Sequence, residues 1–356
     1  MEEKTYLFLI YSSYFIGTII LSFLINGIFL KFASTLGIRN SSETIIRWSS
    51  TSKPSLGGIS FYLIFLLSII CYSIFFKEPH VLLNKQLLGL LASSTLAFLM
   101  GLSDDAYNTR PLLKFLIQVS CGLILITTGT HIDMFSNDFL NYTITLFWVV
   151  GLMNSINMLD NMDGITTIVS IAIILSAMMM IKLNNTSNSV NVFSLIGVLA
   201  ALIGFLYFNW HPSKMFMGDT GSQFLGLFLA AMGIIYFWNP VNACEKYVQS
   251  KHFFIMLLSF AIPIIDTTTV VINRLAKGKS PFVGGKDHTT HSLFFMGVTE
   301  KRIAILYFGI CLVSIFFNVL IVEYIVNWSI LHIILFSVYF FLLFWFLYVP
   351  ARKHGR

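Results

Sequence analysis

Charge is what this 356-residue sequence has least of. Asp, Glu, Lys and Arg make up 11% of it, where a soluble domain carries about 25%. The shortfall excludes a water-covered surface around the whole chain, and lipid is the solvent left for a sequence that is 56% hydrophobic with a mean hydropathy of +0.82. Cysteine is also scarce: Cys71, Cys121, Cys244 and Cys311 are scattered with no C-x-x-C pair, and three lie in apolar runs. They read as buried free thiols, which argues against a disulfide framework and a thiolate metal centre. Met1-Glu2-Glu3-Lys4 lacks a basic n-region, and the apolar run behind it is too long for a signal peptide, so a first membrane span is expected there. A Walker A loop, a Rossmann fingerprint, a long polar insertion and an internal repeat are all missing. The net charge of +6 does not require nucleic acid, because basic loops on one side of a membrane give the same sum.

What remains is a succession of apolar runs. A helix crosses a bilayer in about 20 residues, and eleven spans are expected at 6–30, 57–76, 87–103, 112–130, 139–158, 163–182, 191–209, 221–238, 252–274, 302–322 and 327–349. The runs are continuous rather than alternating, which excludes a β-barrel. The expected fold is all-α, one integral membrane domain over residues 1–356 with ten to eleven helices. On this threading sixteen of the 22 Lys and Arg residues fall on one side, among them Arg39, Arg47, Lys53, Arg110, Lys114, Arg274, Lys286 and Arg356. The positive-inside rule makes that side cytoplasmic, with the N-terminus outside and the C-terminus inside. Asp104, Asp105, Asp160, Asp163, Asp219 and Asp287 share that side, whereas Asp133, Asp138 and Glu245 lie in outer loops. Carboxylates at the mouths of apolar helices are site candidates.

Four segments concentrate polar chemistry. Gly101-Leu102-Ser103-Asp104-Asp105 closes the third span, with Asn108 after it. Adjacent carboxylates repel and stay ionised together beside Mg²⁺ or a lysine; a solvated loop pair is the plainer alternative. Lys114 and Gln118, four apart, share a helix face that could hold an anion. Asn154, Asn157, Asp160 and Asp163 recur every three residues, either as a polar stripe on a helix or as a turn before Gly164. Asn209 to Ser222 holds Asn209, His211, Phe216 and Asp219-Thr220-Gly221, where a helix start would favour anions. Phe216 could stack on a base or simply pack, and His211 reads as structural. Gly284 to Ser292 carries His288 and His291, open to phosphate or sugar recognition, to Zn²⁺, or to a solvated basic loop. Lys53-Pro54-Ser55-Leu56-Gly57-Gly58 could line a phosphate or pack helices.

Together these segments resemble the polyprenyl-phosphate N-acetylhexosamine-1-phosphate transferases of glycosyltransferase family 4. The likeness runs from Lys53 to His291 in the family's order and spacing. K-P-S-L-G-G is similar to its first motif and G-L-S-D-D-A-Y-N to its Asp-Asp motif. N-M-L-D-N-M-D-G-I is similar to N-x-x-D-G-x-D-G, and F-M-G-D-T-G-S-Q-F-L-G to M-G-D-x-G-S-x-x-L-G. Asn161 departs from the family's usual Gly. H-T-T-H-S lacks the three consecutive histidines of the phospho-MurNAc-pentapeptide branch, which favours the branch transferring simple N-acetylhexosamine phosphates.

The resemblance implies transfer of a HexNAc-1-phosphate, GlcNAc-1-phosphate foremost, from a UDP-N-acetylhexosamine to undecaprenyl or another polyprenyl phosphate, releasing UMP. It implies a Mg²⁺ cofactor, with Mn²⁺ as substitute, a site on the cytoplasmic face of the bacterial inner membrane, and an initiating step of envelope polysaccharide such as O-antigen. A homodimer is a further expectation, and no nucleic acid partner is. Asp104, Asp105, Asp160, Asp163 and Asp219 would be catalytic, Asp104 orienting or deprotonating the lipid phosphate. Asp219, Asn157 and Asp160 would hold the metal. Substrate would meet Lys53, Asn108, Lys114, Asn154, Asn157, Asn209, Phe216, His288 and His291, with Asn209 and Phe216 on uracil and the histidines on diphosphate and sugar. The competing readings are the phospho-MurNAc-pentapeptide branch, a GalNAc or deoxy-HexNAc donor, a membrane transporter, and a non-catalytic assembly subunit.

Overall fold

The computed structural model describes residues 2–33, 53–78, 83–184, 190–239, 248–280 and 285–354. Arg39, Arg47, Cys244, Glu245, Lys246, Gly284 and Arg356 lie outside them. The described residues form thirteen α-helices and no named strand: α1 Glu2–Phe32, α2 Gly57–Phe75, α3 Lys85–Tyr107, α4 Pro111–Thr127, α5 Asp138–Leu159, α6 Ile165–Leu183, α7 Val190–Asn209, α8 Gly218–Gly233, α9 Gln249–Ser259, α10 Ala261–Ala276, α11 Thr289–Phe295, α12 Glu300–Val319 and α13 Ile330–His354. Local chemistry sets several of the starts. Asn84 accepts from the backbone N–H of Gln86 and Leu87 at 2.9 and 3.2 Å. Asn137 does the same for Phe139 at 2.9 Å, and Pro111 opens α4, where a missing N–H costs nothing.

Nine of these helices are long and apolar enough to cross a membrane, so the chain is a multi-pass membrane protein. Two expected spans differ. The fourth is the 17-residue α4, shorter than the usual span. The ninth, expected to run unbroken over 252–274, is broken at Phe260 into α9 and α10, bent by 78°. Pro263 sits in the first turn of α10. It has no N–H to return to Ser259, so a straight ladder cannot pass through it. The other boundaries move by a few residues, and π-turns at Ile234–Trp238 and Leu320–Tyr324 extend α8 and α12.

The bundle is built around α8, whose span is 94% buried, against 17% for α1 and for α13. Helices α2, α3, α5 and α6 pack on it, while α1, α12 and α13 turn apolar residues such as Phe8, Phe316 and Phe341 outward, as lipid-facing helices do. Lipid gives helices no hydrophobic reason to associate, so close approach and buried hydrogen bonds hold them. A Cβ on Gly58 would lie 2.1 Å from the backbone N of Gly221, which assigns that glycine to the crossing of α2 and α8. Asn26 Nδ2 bonds Ser60 Oγ at 3.0 Å between α1 and α2, and Asn318 Nδ2 bonds Ser259 Oγ at 2.8 Å between α12 and α9.

Candidate functional site

The end of α3, the end of α5, the start of α8 and the end of α10 converge on one cavity of about 720 Å³. Its wall includes Asp105, Lys114, Asn154, Asn157, Asp160, Asp163, Phe216, Asp219, His288 and His291. Ten of the fourteen residues expected to be catalytic or to meet substrate therefore share this lining. The four that do not are Asp104, Lys53, Asn108 and Asn209.

Close backbone packing brings the acids together. A Cβ on Gly101 would fall 2.3 Å from the carbonyl oxygen of Asp219, so only glycine lets α3 approach the start of α8. Gly218 has φ +74°, and a Cβ there would meet Asp105 Oδ2 at 2.6 Å. Asp105 can then reach across and cap α8. Its Oδ1 accepts from Asp219 N at 3.0 Å, and its Oδ2 from Thr220 N at 2.9 Å and Thr220 Oγ1 at 2.6 Å. A carboxylate suits this place because the free N–H groups of a helix start carry partial positive charge.

Lys114 stands between two acids. Its ammonium donates to Asp104 Oδ2, and to Asp219 Oδ2 at 3.2 Å. Asp104 is 8% exposed and also accepts from Thr109 N and Oγ1, each at 2.7 Å. It backs the cavity through Lys114 rather than lining it. Asn157 Nδ2 donates to Asp219 Oδ1 at 3.0 Å and to Ser222 Oγ at 2.8 Å. An amide cluster continues the wall: Gln118 Nε2 donates to Asn154 Oδ1 and to Gln223 Oε1, both at 3.2 Å.

The three-residue repeat of polar groups is half helix and half turn. Asn154 and Asn157 lie on α5, whereas Asp160 and Asp163 lie in the turn that Gly164, at φ +76°, closes before α6. All four nonetheless face the cavity. Burial raises the Asp160 carboxyl to about 7, helped by the negative charges of Asp105 and Asp163. Asn161 keeps a negative φ, so a side chain fits where glycine was expected. Its Oδ1 accepts from Thr290 Oγ1 at 2.6 Å and ties the turn to α11.

Asp163 also anchors the loop before α8. It accepts from Ser213 N at 2.9 Å and Ser213 Oγ at 2.7 Å, and it lies 3.1 Å from His211 Nδ1. That nitrogen is 3.0 Å from Glu300 Oε2 at the start of α12. Among the described residues Asp163, His211 and Glu300 are the one trio of His, Cys, Asp or Glu ligand atoms within 4.8 Å of one another. Lys53, just before α2, rests against that loop, 2.9 Å from Ser213 Oγ and 5.1 Å from the Phe216 ring. Asn209 is 2% exposed, accepting from Thr167 Oγ1 at 2.7 Å and donating to Met215 O at 3.1 Å. Asn108 is the left-handed cap of α3 at φ 53°. Both hold backbone in shape, away from the cavity wall.

Arg274, which also lines the cavity, grips Asp287 through Nε and Nη2, both at 2.8 Å. Burial alone would raise the Asp287 carboxyl, but the bonds and charge of Arg274 hold it below its ordinary value. His291 is pushed down to about 4 by burial and by its neighbour His288. Arg274, Lys286, Thr267 and Gln223 line the cavity without having been singled out. The first two were readable only as members of a basic loop, Thr267 only as a polar residue in an apolar run, and Gln223 only as a position inside the F-M-G-D-T-G-S-Q-F-L-G segment.

Asp219 and Asp160 offer carboxylate oxygens and Asn157 an amide oxygen to the cavity. Asn157 donates from Nδ2, which leaves Oδ1 free to coordinate. Hard oxygens of this kind suit Mg²⁺, and a cation would favour the ionised form of the two acids. The residues fit such an ion.

The sequence is similar to those of known proteins. Residues 87–237 match the family model described as Glycosyl transferase family 4. The chain is 25% identical over 257 residues to a protein of Bacillus subtilis (strain 168) named "Probable undecaprenyl-phosphate N-acetylglucosaminyl 1-phosphate transferase", covering 70% of this chain and 67% of the relative. It is 25% identical to the "Decaprenyl-phosphate N-acetylglucosaminephosphotransferase" of Mycobacterium leprae (strain TN), over 72% of this chain and 70% of that one. A shorter match, 32% identical over 204 residues, covers 52% of this chain and 60% of a "Phospho-N-acetylmuramoyl-pentapeptide-transferase" of Streptococcus agalactiae.

Proposed function

We infer that this chain, which belongs to glycosyl transferase family 4, transfers a HexNAc-1-phosphate, GlcNAc-1-phosphate foremost, from a UDP-sugar to undecaprenyl or another polyprenyl phosphate. The observation that carries the reading is the cavity where Asp105, Asp160 and Asp219, from three separate chain segments, meet Lys114, His288 and Arg274. A phosphate nucleophile must approach a diphosphate, so a site for this reaction has to gather cations and hard oxygen ligands around two anions. Asp219, Asp160 and Asn157 would hold Mg²⁺, which when bound offsets the repulsion between the reactants and stabilises charge on the transferring group.

The chain's own residues do the positioning. Lys114, held by Asp104 and Asp219, places a positive charge beside the acids. Asp104 orients that lysine from behind. Asp105 keeps the start of α8, and with it Asp219, in register. Phe216, with Lys53 over one side of its ring, offers the other face to the uracil, while His288 and His291 meet the diphosphate and sugar. The acceptor needs little activation, because a phosphate monoester with a second pKa of about 6 is mostly dianionic at pH 7. We place the site on the cytoplasmic face of a bacterial inner membrane, since the nucleotide sugar is cytoplasmic and the lipid phosphate lies at the headgroup level. The initiating step of an envelope polysaccharide fits that product.

Purified protein given undecaprenyl phosphate and a panel of UDP-GlcNAc, UDP-GalNAc and UDP-MurNAc-pentapeptide tests this. UMP release with UDP-GlcNAc in Mg²⁺, lost in EDTA and in Asp219→Asn, is expected. The local likeness to a pentapeptide transferase puts that third donor in the panel. No UMP from any donor would sink the reading.

A further inference from the structure

His288 is one of two histidines on the cavity wall, and an acid from another element fixes it. Asp266, in α10, is 1% exposed. Its Oδ2 lies 2.8 Å from His288 Nδ1. Its Oδ1 accepts from Thr289 N at 2.9 Å and from Thr289 Oγ1 at 2.5 Å, and that hydroxyl lies 2.6 Å from Tyr307 OH on α12. A carboxylate this deep in an apolar bundle is costly unless it is hydrogen-bonded, and here the start of α11 supplies three partners.

We propose that Asp266 is a positioning residue, which holds His288 as the Nδ1–H form and turns Nε2 toward a phosphate oxygen of the donor. The proposal rests on the transferase reading above. An ionised carboxylate only accepts hydrogen bonds, so Nδ1 carries the hydrogen and Nε2 is the nitrogen left to work. The second ring nitrogen of a histidine takes its role from the hydrogen bond that the first one makes. The neighbouring ring of His291 lies 5.3 Å away, and burial with the nearby His288 pushes it down to about 4. The acid does not belong to the cavity wall, and no sequence motif points to it.

The test pairs Asp266→Asn with His288→Gln in full-length purified protein. Asp266→Asn should lower kcat about tenfold to a hundredfold, with the KM for the nucleotide sugar changed less than about threefold. His288→Gln should do the same, and the double variant should be no slower than the worse single one, because both break one unit. Independent, multiplying losses would overturn the proposal, as would a loss in Asp266→Asn that only tracks the fraction of folded protein on melting. A second readout does not depend on turnover. In ¹⁵N-histidine spectra the His288 signal, identified by its absence from His288→Gln, should show a protonated Nδ1 that changes in Asp266→Asn. An unprotonated Nδ1 in the wild type would overturn the proposal. Wild-type protein that releases no UMP would instead sink the transferase reading, with the nitrogen signal still deciding what Asp266 does.

Discussion

At the residue scale, Asp160 couples the site to pH. Its carboxyl, raised by burial and by Asp105 and Asp163 to about 7, is mostly protonated at pH 6 and mostly ionised at pH 8. A cation binding at pH 6 must displace that proton, so Mg²⁺ should raise the melting temperature more at pH 8 than at pH 6. Asp160→Asn should flatten this difference, and Asp219→Asn should remove the Mg²⁺ effect at both pH values. An equal shift at the two pH values in wild-type protein would contradict the assignment. Without a cation the sign reverses. The folded state keeps a proton that the unfolded chain has lost, so this group's contribution to stability falls as pH rises from about 4 to about 7. The acids themselves were legible in the sequence, because carboxylates are rare at the mouths of apolar helices. Asn209 shows the limit. Its place in a recognisable motif pointed to substrate, whereas its burial and its bonds to Thr167 Oγ1 and Met215 O come from partners that are not visible in the local sequence.

At the element scale, the start of α8 is the joint on which the site depends. Gly218 has φ +74° and no room for a Cβ beside Asp105 and Ser55 O. Gly218→Ala should therefore destabilise the fold by about 1–2 kcal/mol from the backbone alone. It should also cut activity more than stability, because Asp105 would lose its grip on the N–H groups of Asp219 and Thr220. Melting curves and UMP release measured on one preparation check this, and unchanged kcat would refute it. Helix boundaries were readable from hydropathy to within a few residues. The break between α9 and α10 was not, since Pro263 in an apolar run permits either a kinked span or two helices. The 78° bend is chosen by packing: Ser155 Oγ bonds Pro263 O at 2.8 Å, and Thr267 Oγ1 bonds Ser155 Oγ at 2.7 Å, pinning α10 to α5.

At the scale of the whole molecule, the threading that puts sixteen Lys and Arg residues on one side also puts the cavity acids there. The proposed orientation follows. Alkaline phosphatase fused after Arg356 should be inactive in cells and a green fluorescent reporter at the same point bright, whereas fusions in the segment 240–247 should give the reverse. The opposite pattern would turn the cavity away from a cytoplasmic nucleotide sugar and break the proposed function.

By itself the sequence determined the solvent, the helical class and the identity of most cavity acids, because those follow from hydropathy and from the cost of charge near lipid, which are properties of short segments. Only the tertiary structure decided which polar groups face the cavity and which are spent on holding backbone. It set Asp104 behind Lys114, gave Asp105 to the start of α8 and brought Asp266 to His288 across 22 residues. The physical reason is that a hydrogen-bond partner is fixed by the crossing of helices distant in sequence, and those crossings are set by where glycine lets two backbones meet.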